Sequence, residues 1–265
     1  MAFSYYFLIP TLPSLQFNVE PSIPFKELIV WFRERLCKKD LDQLSALQRW
    51  LDLNNLRQFW KEGKIDPRGN FQTVEALQEA LEYRKGFPEY VFEFIDRYQN
   101  DKTKVLQHFS ELISTFFSQE IITHTGFLNR YFIFEREWRL VMLGLRAKQL
   151  GRDLAIELQY EDPTDPIVAQ LLAQKDSANY DPPTSDPWLK KIITEQREEV
   201  TPKQLYIDLA RYRFERIAEF LTPQDQFTLD HILCYAAQLI ILEQWRELDQ
   251  KQGALIAENI LRKII

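Results

Sequence analysis

The chain has 265 residues, a formal net charge of −6 and two cysteines. This length permits a large buried core, in one elongated domain or in two or three small modules, without help from disulfides. Lysine and arginine are scattered among the acidic residues. The charge pattern therefore excludes nucleic acid as a main partner, because binding to its backbone depends on clustered positive charge.

The cysteines and the apolar runs favour a cytosolic protein. Cys37 and Cys234 lie in apolar helical patterns, which are typical of small buried thiols rather than of a disulfide. The opening residues have no basic region followed by an apolar core, so no signal peptide is expected. The longest apolar run, residues 232–242, is too short to cross a bilayer and contains Gln238.

Glycine and proline positions indicate a mostly helical protein. Of the seven glycines, all except Gly144 fall at apparent ends of helical patterns, where glycine provides left-handed caps. Prolines crowd the stretch 163–187 and mark helix starts at Pro202 and Pro223. No segment alternates as a strand does. The predicted fold class is therefore all-α.

Residues 1–122 are predicted to form an N-terminal helical lobe that carries an extended arm. Pro10 and Pro13 exclude a long helix at the start, so residues 3–18 are interpreted as an extended aromatic arm. Two long helical patterns follow the arm. Three more patterns occupy residues 73–84, 88–99 and 102–122.

The ends of the first two helices are predicted from their capping residues. Ser22 and Asp40 are the expected N-caps, because a short polar side chain at that position accepts hydrogen bonds from free helix amides. The second helix is expected to bend or break at Asn54 and Asn55, before it ends at Gly63.

The strongest helical pattern lies in residues 123–160, which are predicted to form a long connecting helix bordered by Gly126 and Gly151. At about 1.5 Å per residue, this helix would be long enough to cross a whole domain. Glu135 and Arg139 are spaced for an i,i+4 ion pair. A stripe of large apolar side chains indicates a buried face: Phe127, Tyr131, Phe134, Trp138, Val141 and Leu145.

The last third of the chain contains a change in composition. Residues 161–187 are rich in proline and aspartate and are interpreted as a hinge between two lobes, with one short helical piece. Residues 188–265 are predicted to form a C-terminal helical lobe, whose first helix is capped by Thr201. Its helices are expected over residues 202–221, from Thr228 onward and over residues 254–265.

Patterns that carry chemistry are missing from the sequence. His108, His124 and His231 are far apart and have no metal-ligand spacing. Asp230, His231 and Cys234 are the tightest group of base and nucleophile types, but a helix-start acid followed by core residues explains them better. There is no glycine-rich phosphate loop, nucleophile elbow or His-Glu-x-x-His motif. We predict no catalytic residue, cofactor, metal or small-molecule substrate.

One motif resembles a known family. In residues 50–64, Asp52, Asn55 and Leu56 form the pattern Asp-x-x-Asn-Leu, and the segment ends in Gly-Lys. This segment resembles a helix of the C subunit, also called the d subunit, of the V-type and A-type rotary ATPases.

Further segments extend the resemblance over nearly the whole chain. Residues 145–151 look like the end of the equivalent helix in the family's second repeat, and residues 235–253 loosely resemble the third. The opening residues 5–13 and the block at Trp138 look closer still to a short bacterial branch that is encoded with V-type ATPase genes and has no assigned function. Leu140 departs from the family pattern, because it stands near a position where the family prefers asparagine.

The resemblance implies both a fold and a mechanical function. Members of the family stack three-helix bundle modules around a pseudo-threefold axis in the shape of a funnel. They lie on the cytoplasmic face of the membrane proteolipid ring and seat the central stalk, which is formed by the D and F subunits. Their function is to couple rotation of the ring to the stalk, and so ion transport to ATP synthesis or hydrolysis, without catalysis of their own.

The resemblance also suggests residue roles. Arg146 and Lys148 are candidate interface residues that would face an acidic partner. Asp52 and Asn55 are expected to bind backbone groups at a helix crossing. The positions with expected structural roles are Asp52, Asn55, Leu56, Trp138 and Glu243.

Two other functions fit the composition. A cytosolic helical adaptor unrelated to ATPases would bind partner helices in its grooves. A helical enzyme with a dispersed site would instead have a deep polar pocket that holds several histidines and carboxylates. The identity of the partner distinguishes the adaptor from the stalk protein, and the shape of the main pocket distinguishes the enzyme from both.

Overall fold

The computed structural model describes residues 5–99, 101–177, 179–195 and 202–249. Within these ranges all regular structure is helical and no strand occurs, which confirms the predicted all-α class there. The α-helices of these ranges are α1 (Phe25–Arg35), α2 (Lys38–Glu62), α3 (Val74–Glu82), α4 (Glu89–Arg97), α5 (Lys102–Gln107), α6 (Phe109–Thr123), α7 (Gly126–Leu150), α8 (Leu154–Glu157), α9 (Pro166–Ala173), α10 (Pro187–Glu195), α11 (Pro202–Ala218) and α12 (Leu229–Asp249).

The described part of the N-terminal arm has no long helix, as its prolines predict, but it is not extended throughout, because it folds onto the protein and contains a short 3-10 helix, Ile9–Thr11. The Tyr5 amide donates to the Phe227 carbonyl at 2.8 Å. The Tyr5 hydroxyl donates to the Asp40 carboxylate. Because Tyr5 and Leu8 are also buried, the arm belongs to the core of the protein.

The predicted caps of the first two helices are wrong. Pro24, in an extended conformation, precedes α1, and the first amide of that helix is bound by Glu243 at 2.6 Å. Cys37 is the N-cap of α2, while Asp40 lies inside its first turn and accepts from Tyr5. At α1 a distant side chain takes the role that local sequence assigned to Ser22, whereas α2 begins without a side-chain cap.

Helix α2 is continuous through the Asn54–Asn55 pair and ends at Gly63, which is left-handed with φ of 69°. The Asn54 amide nitrogen donates to the Trp50 carbonyl at 2.9 Å. The Asn55 side chain bonds outside the helix, to Asp66. The Trp50 carbonyl has two lone pairs and can accept from the Asn54 side chain as well as within the helix, and Asn55 bonds elsewhere, so the expected break does not occur.

Aspartates at helix starts explain several of the short helices. The side chains of Asp101, Asp153 and Asp165 accept hydrogen bonds from first-turn amides of α5, α8 and α9. The predicted single helix over residues 102–122 is two helices, α5 and α6, which meet at His108. The His108 ring stacks on Tyr98 with centroids 4.6 Å apart, so packing positions the break.

Helix α7 confirms the long helix predicted between Gly126 and Gly151. It ends earlier than the predicted segment 123–160, because Gly151 is left-handed with φ of 63° and the short helix α8 follows. The predicted Glu135–Arg139 pair is wrong, since Glu135 pairs with Arg213 and Arg139 pairs with Glu161. Buried residues lie on more than one side of α7, so it crosses the core: Phe127, Leu128, Tyr131, Phe132, Phe134, Glu135, Leu140, Val141, Gly144 and Ala147.

The segment 161–187 packs closely on α7. The Tyr180 hydroxyl donates to the Val141 carbonyl at 2.6 Å. A Cβ atom on Gly144 would lie 2.5 Å from Leu171 Cδ2 and 2.8 Å from the Tyr180 hydroxyl, so this helix-interior glycine permits the close approach. Since a mobile connection would not need such contacts, they fasten the segment, and its role as a hinge stays a prediction.

Helices α11 and α12 pack against each other, and α12 is buried along most of its length, as its apolar pattern predicts. One contiguous cluster of buried side chains runs from Tyr5 to Trp245. The division into two lobes stays a prediction. The predicted cap at Thr201 and the predicted helix over residues 254–265 lie outside the described residues.

The length and the hydropathy of a helix decide whether it can cross a membrane. In the part of the chain that the structure describes, no helix is both long enough and apolar enough to cross a bilayer.

Candidate interaction site at the junction of three long helices

The three longest described helices meet at one place. Helices α2 and α7 have 25 residues each, α12 has 21, and α12 packs against both. A cavity of about 220 Å³ lies between them, which we call the junction pocket. Its lining residues are Trp50, Leu51 and Asn54 of α2, Tyr131, Glu135, Trp138 and Arg139 of α7, Ile240, Ile241 and Gln244 of α12, and Arg213 of α11.

Helical spacing places these residues on the pocket. Trp50 and Asn54 are four residues apart on α2, as are Tyr131 and Glu135 on α7, and residues at that spacing share one helix face. The Trp50 ring packs on Phe116 of α6, with centroids 5.5 Å apart. Helix α6 therefore holds the α2 wall of the pocket in position.

A buried ion pair crosses the pocket from α7 to α11. Both carboxylate oxygens of Glu135 accept hydrogen bonds from Nη2 of Arg213, at 2.6 and 2.8 Å. Burial would lower the pKa of Arg213, but the Glu135 carboxylate outweighs it and raises that pKa. The guanidinium carbon of Arg213 also lies 5.7 Å from the Trp138 ring centroid. Nε of Arg213 is buried and has no hydrogen-bond partner among the described residues.

Asp52 and Asn55 bind the loop that follows α2, rather than groups at a helix crossing. The Asn55 side chain accepts from the Asp66 amide at 2.6 Å and donates to the Asp66 carbonyl at 2.8 Å. Asp52 accepts from Asn70 Nδ2 at 2.7 Å and from the Phe71 amide at 3.3 Å. Both side chains are 1 % exposed, so they hold the loop from inside the protein.

The local environment changes the pKa of Asp52. Burial raises this pKa to about 6, although the hydrogen bonds from Asn70 and Phe71 act in the opposite direction. Gly69 presses against the same carboxylate, and a Cβ atom there would also lie 3.0 Å from Asn55 Nδ2. Leu56, the third residue of the motif, is fully buried. The motif therefore positions a loop and is itself closed to a partner.

Glu243 connects α12 to two other parts of the chain. It accepts from the Phe25 amide at the start of α1, and it lies 3.6 Å from Arg68 in the loop after α2. Arg68 also pairs with Asp66 at 2.7 Å and with Glu247 at 2.9 Å. Burial raises the pKa of Glu243. Glu243 thus ties the end of α12 to the N-terminal helices.

The two predicted interface residues have different environments. Lys148 Nζ donates to the carbonyls of Gln174, Lys175 and Ser177, at 2.5, 2.8 and 2.7 Å. Its charge is used to hold the end of α9. Arg146 is half-buried and has no ion pair or hydrogen bond with any described residue. Burial and the nearby Arg57 lower the pKa of Arg146 to about 10, so it remains cationic at neutral pH.

The histidines and the buried cysteine do not join the junction pocket. His124 contacts Glu120 at 2.8 Å, beside Arg49. His231 is half-buried, and burial lowers its pKa. Burial raises the pKa of the Cys234 thiol to about 12, so the thiolate is scarce at neutral pH.

Sequence reasoning missed the residue that completes the pocket, Arg213. Its partner Glu135 lies 78 residues away in the chain, and no local pattern connects them. One signal was present, since Glu135 is an acid among large apolar residues in the middle of a long helical pattern. A buried acid of this kind needs a cationic partner.

The fold and the site define an all-helical protein whose three longest described helices converge on a pocket lined by aromatic, aliphatic and charged side chains. Among the described residues, no group of three metal-ligating side chains converges. The chain belongs to the DUF2764 family of proteins of unknown function, whose profile spans residues 1–265.

Similar proteins occur in chlamydiae. A protein of Chlamydia muridarum is 29% identical over 236 residues, which are 86% of each chain. One of Chlamydia pneumoniae is 30% identical over 225 residues, 82% of each chain, and one of Chlamydia trachomatis is 29% identical over 219 residues, 81% of each. All three are described as uncharacterised proteins. No solved structure matches the chain.

Proposed function

We propose that this protein is a non-catalytic central-stalk component of a V/A-type rotary ATPase. In this role it seats the stalk of D and F subunits on the membrane proteolipid ring and transmits torque, which couples ion transport to ATP synthesis or hydrolysis. It lies in the cytoplasm, at the inner face of the membrane, and is held there by protein contacts with the ring.

The convergence of α2, α7 and α12 on the junction pocket carries this proposal. Each of the three helices contains one of the segments that resemble a repeat of the rotary-ATPase family: residues 50–62 in α2, residues 145–150 in α7 and residues 235–249 in α12. Repeats stacked around a pseudo-threefold axis bring their equivalent helices to that axis. The junction pocket supports such an axis, because all three helices line it.

Buried carboxylates support the mechanical role. Asp52 ties α2 to its following loop, Glu135 ties α7 to α11, and Glu243 ties α12 to α1. Each tie leaves a buried carboxyl group without a hydrogen-bond partner if its two segments move apart, which is costly. Together with a close-packed interior, which compresses little, the ties let the body transmit torque with little deformation.

Binding to the stalk tests the proposal. The purified protein would be titrated by calorimetry against the D–F heterodimer from the same genome, with serum albumin as a control titrant. Detergent-solubilised ring would be tested separately by co-elution. We expect saturable one-to-one binding to the heterodimer. The absence of binding to both partners at tens of micromolar, weaker than about −7 kcal/mol, would refute the proposal.

One feature favours the alternative, a cytosolic helical adaptor that binds partner helices. An aromatic groove of about 480 Å³ lies between α7, α10 and α11, and Ile133 at its edge is 37% exposed. Its aromatic lining residues are Phe134, Trp138, Tyr212 and Phe220. If the stalk and the ring both fail to bind, a crosslinker placed at residue 133 would identify the adaptor's partner. Loss of that crosslink in the Phe220→Asp variant would identify the groove as the site where the partner binds.

A further inference from the structure

A group of cations extends the open side of the junction pocket. On α2, Arg57 and Lys61 follow Asn54 by three and seven residues, so all three lie on one helix face. On α7, Arg146 follows Arg139 by seven residues and shares its face. Asn54 and Arg139 line the pocket, and the charge of Arg57 acts on both Lys61 and Arg146, so helical spacing and these interactions place the three cations together beside the pocket. We call Arg57, Lys61 and Arg146 the basic face.

The basic face has more positive charge than the nearby acids Glu157 and Glu62 can neutralise. Its neighbours Arg139 and Arg152 pair with Glu161 at 2.6 Å and with Glu157 at 3.3 Å. No described residue forms a salt bridge or a hydrogen bond with Arg57 or Arg146, and the acid that attracts both, Glu157, is already paired with Arg152. The Arg57 guanidinium carbon instead lies 5.9 Å from the ring centroid of Phe109.

These unpaired cations also repel one another. Desolvation and the charge of Arg139 lower the pKa of Arg57, and desolvation and the charge of Arg57 lower the pKa of Lys61. The pKa of Arg146 is lowered by burial and again by Arg57. Like charges held together at a partly buried surface cost stability. A bound anion would offset that cost, because it would neutralise all three cations at once.

The surroundings favour carboxylates on a helix as the anion. The chain has a net charge of −6, which repels nucleic acid and anionic membranes from the surface as a whole. A single acidic helix carries far fewer negative charges than nucleic acid or an anionic membrane, so the net charge of the chain repels it less. Ile156, which is 63% exposed, directly precedes Glu157, whose charge acts on Arg57 and Arg146, so an exposed apolar side chain is available near the basic face. Arginine forks bind carboxylates in a two-point geometry.

We propose that the basic face binds an acidic, amphipathic helix of a partner protein, whose carboxylates pair with Arg57 and Arg146. This inference rests on the proposed function in one respect, because it assigns the partner helix to the D–F stalk. The binding chemistry itself is independent of that assignment.

The test uses the full chain and two matched double variants. Arg57→Glu with Arg146→Glu reverses the charge of the basic face. Arg33→Glu with Lys39→Glu makes the same change in charge at two exposed positions on α1 and α2. The pair Arg57→Gln with Arg146→Gln removes the charges without reversing them, and far-ultraviolet circular dichroism checks that each variant is folded.

The probe is a fluorescent, alanine-rich peptide with glutamates four residues apart, measured by anisotropy at about 50 mM salt to limit screening. The control ligand has glutamine at those positions, and inorganic tripolyphosphate serves as a competitor. We expect the basic-face variants to weaken binding of the glutamate peptide by about tenfold or more, because charge-assisted hydrogen bonds are lost. The exposed-site variant should bind like the wild type.

Three outcomes overturn the inference: equal binding of the glutamate and glutamine peptides, equal binding by all variants, or binding of tripolyphosphate alone. Titration with the D–F heterodimer separates this inference from the proposed function. If the heterodimer binds the wild type and the basic-face variant equally, the assignment of the partner helix fails and the proposed function stands. If neither the heterodimer nor the ring binds, while binding of the glutamate peptide depends on Arg57 and Arg146, the proposed function fails. The assignment of the basic face as a binding surface then stands.

Discussion

Glu135 of α7 and Arg213 of α11 form a two-point ion pair at 2.6 and 2.8 Å that closes one side of the junction pocket. The side chain of Glu135 is 2% exposed and that of Arg213 is 21% exposed. This pair joins the helix that crosses the core to the helix that covers α12. Its loss would leave a largely buried guanidinium without its carboxylate.

We predict that Glu135→Gln lowers the free energy of unfolding by about 3 kcal/mol, because breaking one side of a buried ion pair leaves the other charge uncompensated. Urea unfolding followed by circular dichroism measures the change. Glu137→Gln, at an exposed position on the same helix, is the control and should change stability little. A Glu135→Gln variant as stable as this control would contradict the structural role of the pair.

The Asp52 environment predicts a pH dependence of stability. The carboxyl has a pKa of about 6 in the folded protein and an ordinary value of 3.8. A folded pKa that is raised means that the contribution of Asp52 is fully present below pH 4 and is lost as the pH rises through 6. From this shift we expect a loss of about 3 kcal/mol across that window, relative to Asp52→Asn.

Thermal or urea unfolding at several pH values between 4 and 7 would measure this difference. Asp42→Asn, at an exposed position on the same helix, is the matched control, and its difference from the wild type should not follow the same curve. If the wild type and Asp52→Asn have parallel pH profiles, the buried carboxyl does not titrate in this window.

Gly144 predicts an unusual result for a helix-interior glycine. Gly144→Ala would normally stabilise a helix by about 1 kcal/mol. Here we expect a loss of about 1–3 kcal/mol, because the new methyl group overlaps with Leu171 and Tyr180. In a Tyr180→Phe background the loss should be smaller, since the overlapping hydroxyl is absent. A stabilised Gly144→Ala variant would mean that Leu171 and Tyr180 move away from the new methyl group without lowering the free energy of unfolding.

Lys148 is predicted to act inside the protein rather than at an interface. Lys148→Met removes an ammonium that donates to three carbonyls at the end of α9. We expect faster hydrogen exchange near residues 174–177 and a loss of about 1–2 kcal/mol in stability. Arg146→Met is the control, because Arg146 has no such bonds among the described residues. Weaker partner binding by Lys148→Met, with unchanged exchange, would restore the interface role.

Local features made the helices predictable. Gly63, Gly126 and Gly151 border α2 and α7 where the sequence placed those borders, because a left-handed glycine favours a helix end wherever the helix packs. The middle of α12 is apolar on most sides, which predicts a buried helix, and residues 232–237 and 239–242 are buried. The misplaced caps at Ser22 and Asp40 show the limit of this reasoning. A distant carboxylate, Glu243, bonds the start of α1 instead.

The sequence by itself determined the all-α class, the end of α2 and both ends of α7, since helix propensity, capping and apolar periodicity act within a few residues of each other. Only the tertiary structure decided which charges meet. Glu135 pairs with Arg213 instead of Arg139, and Lys148 donates hydrogen bonds to carbonyls at the end of α9. Arg146 forms no salt bridge among the described residues. Such choices depend on which segments the packed core brings together, and contacts between distant residues leave no pattern in one sequence.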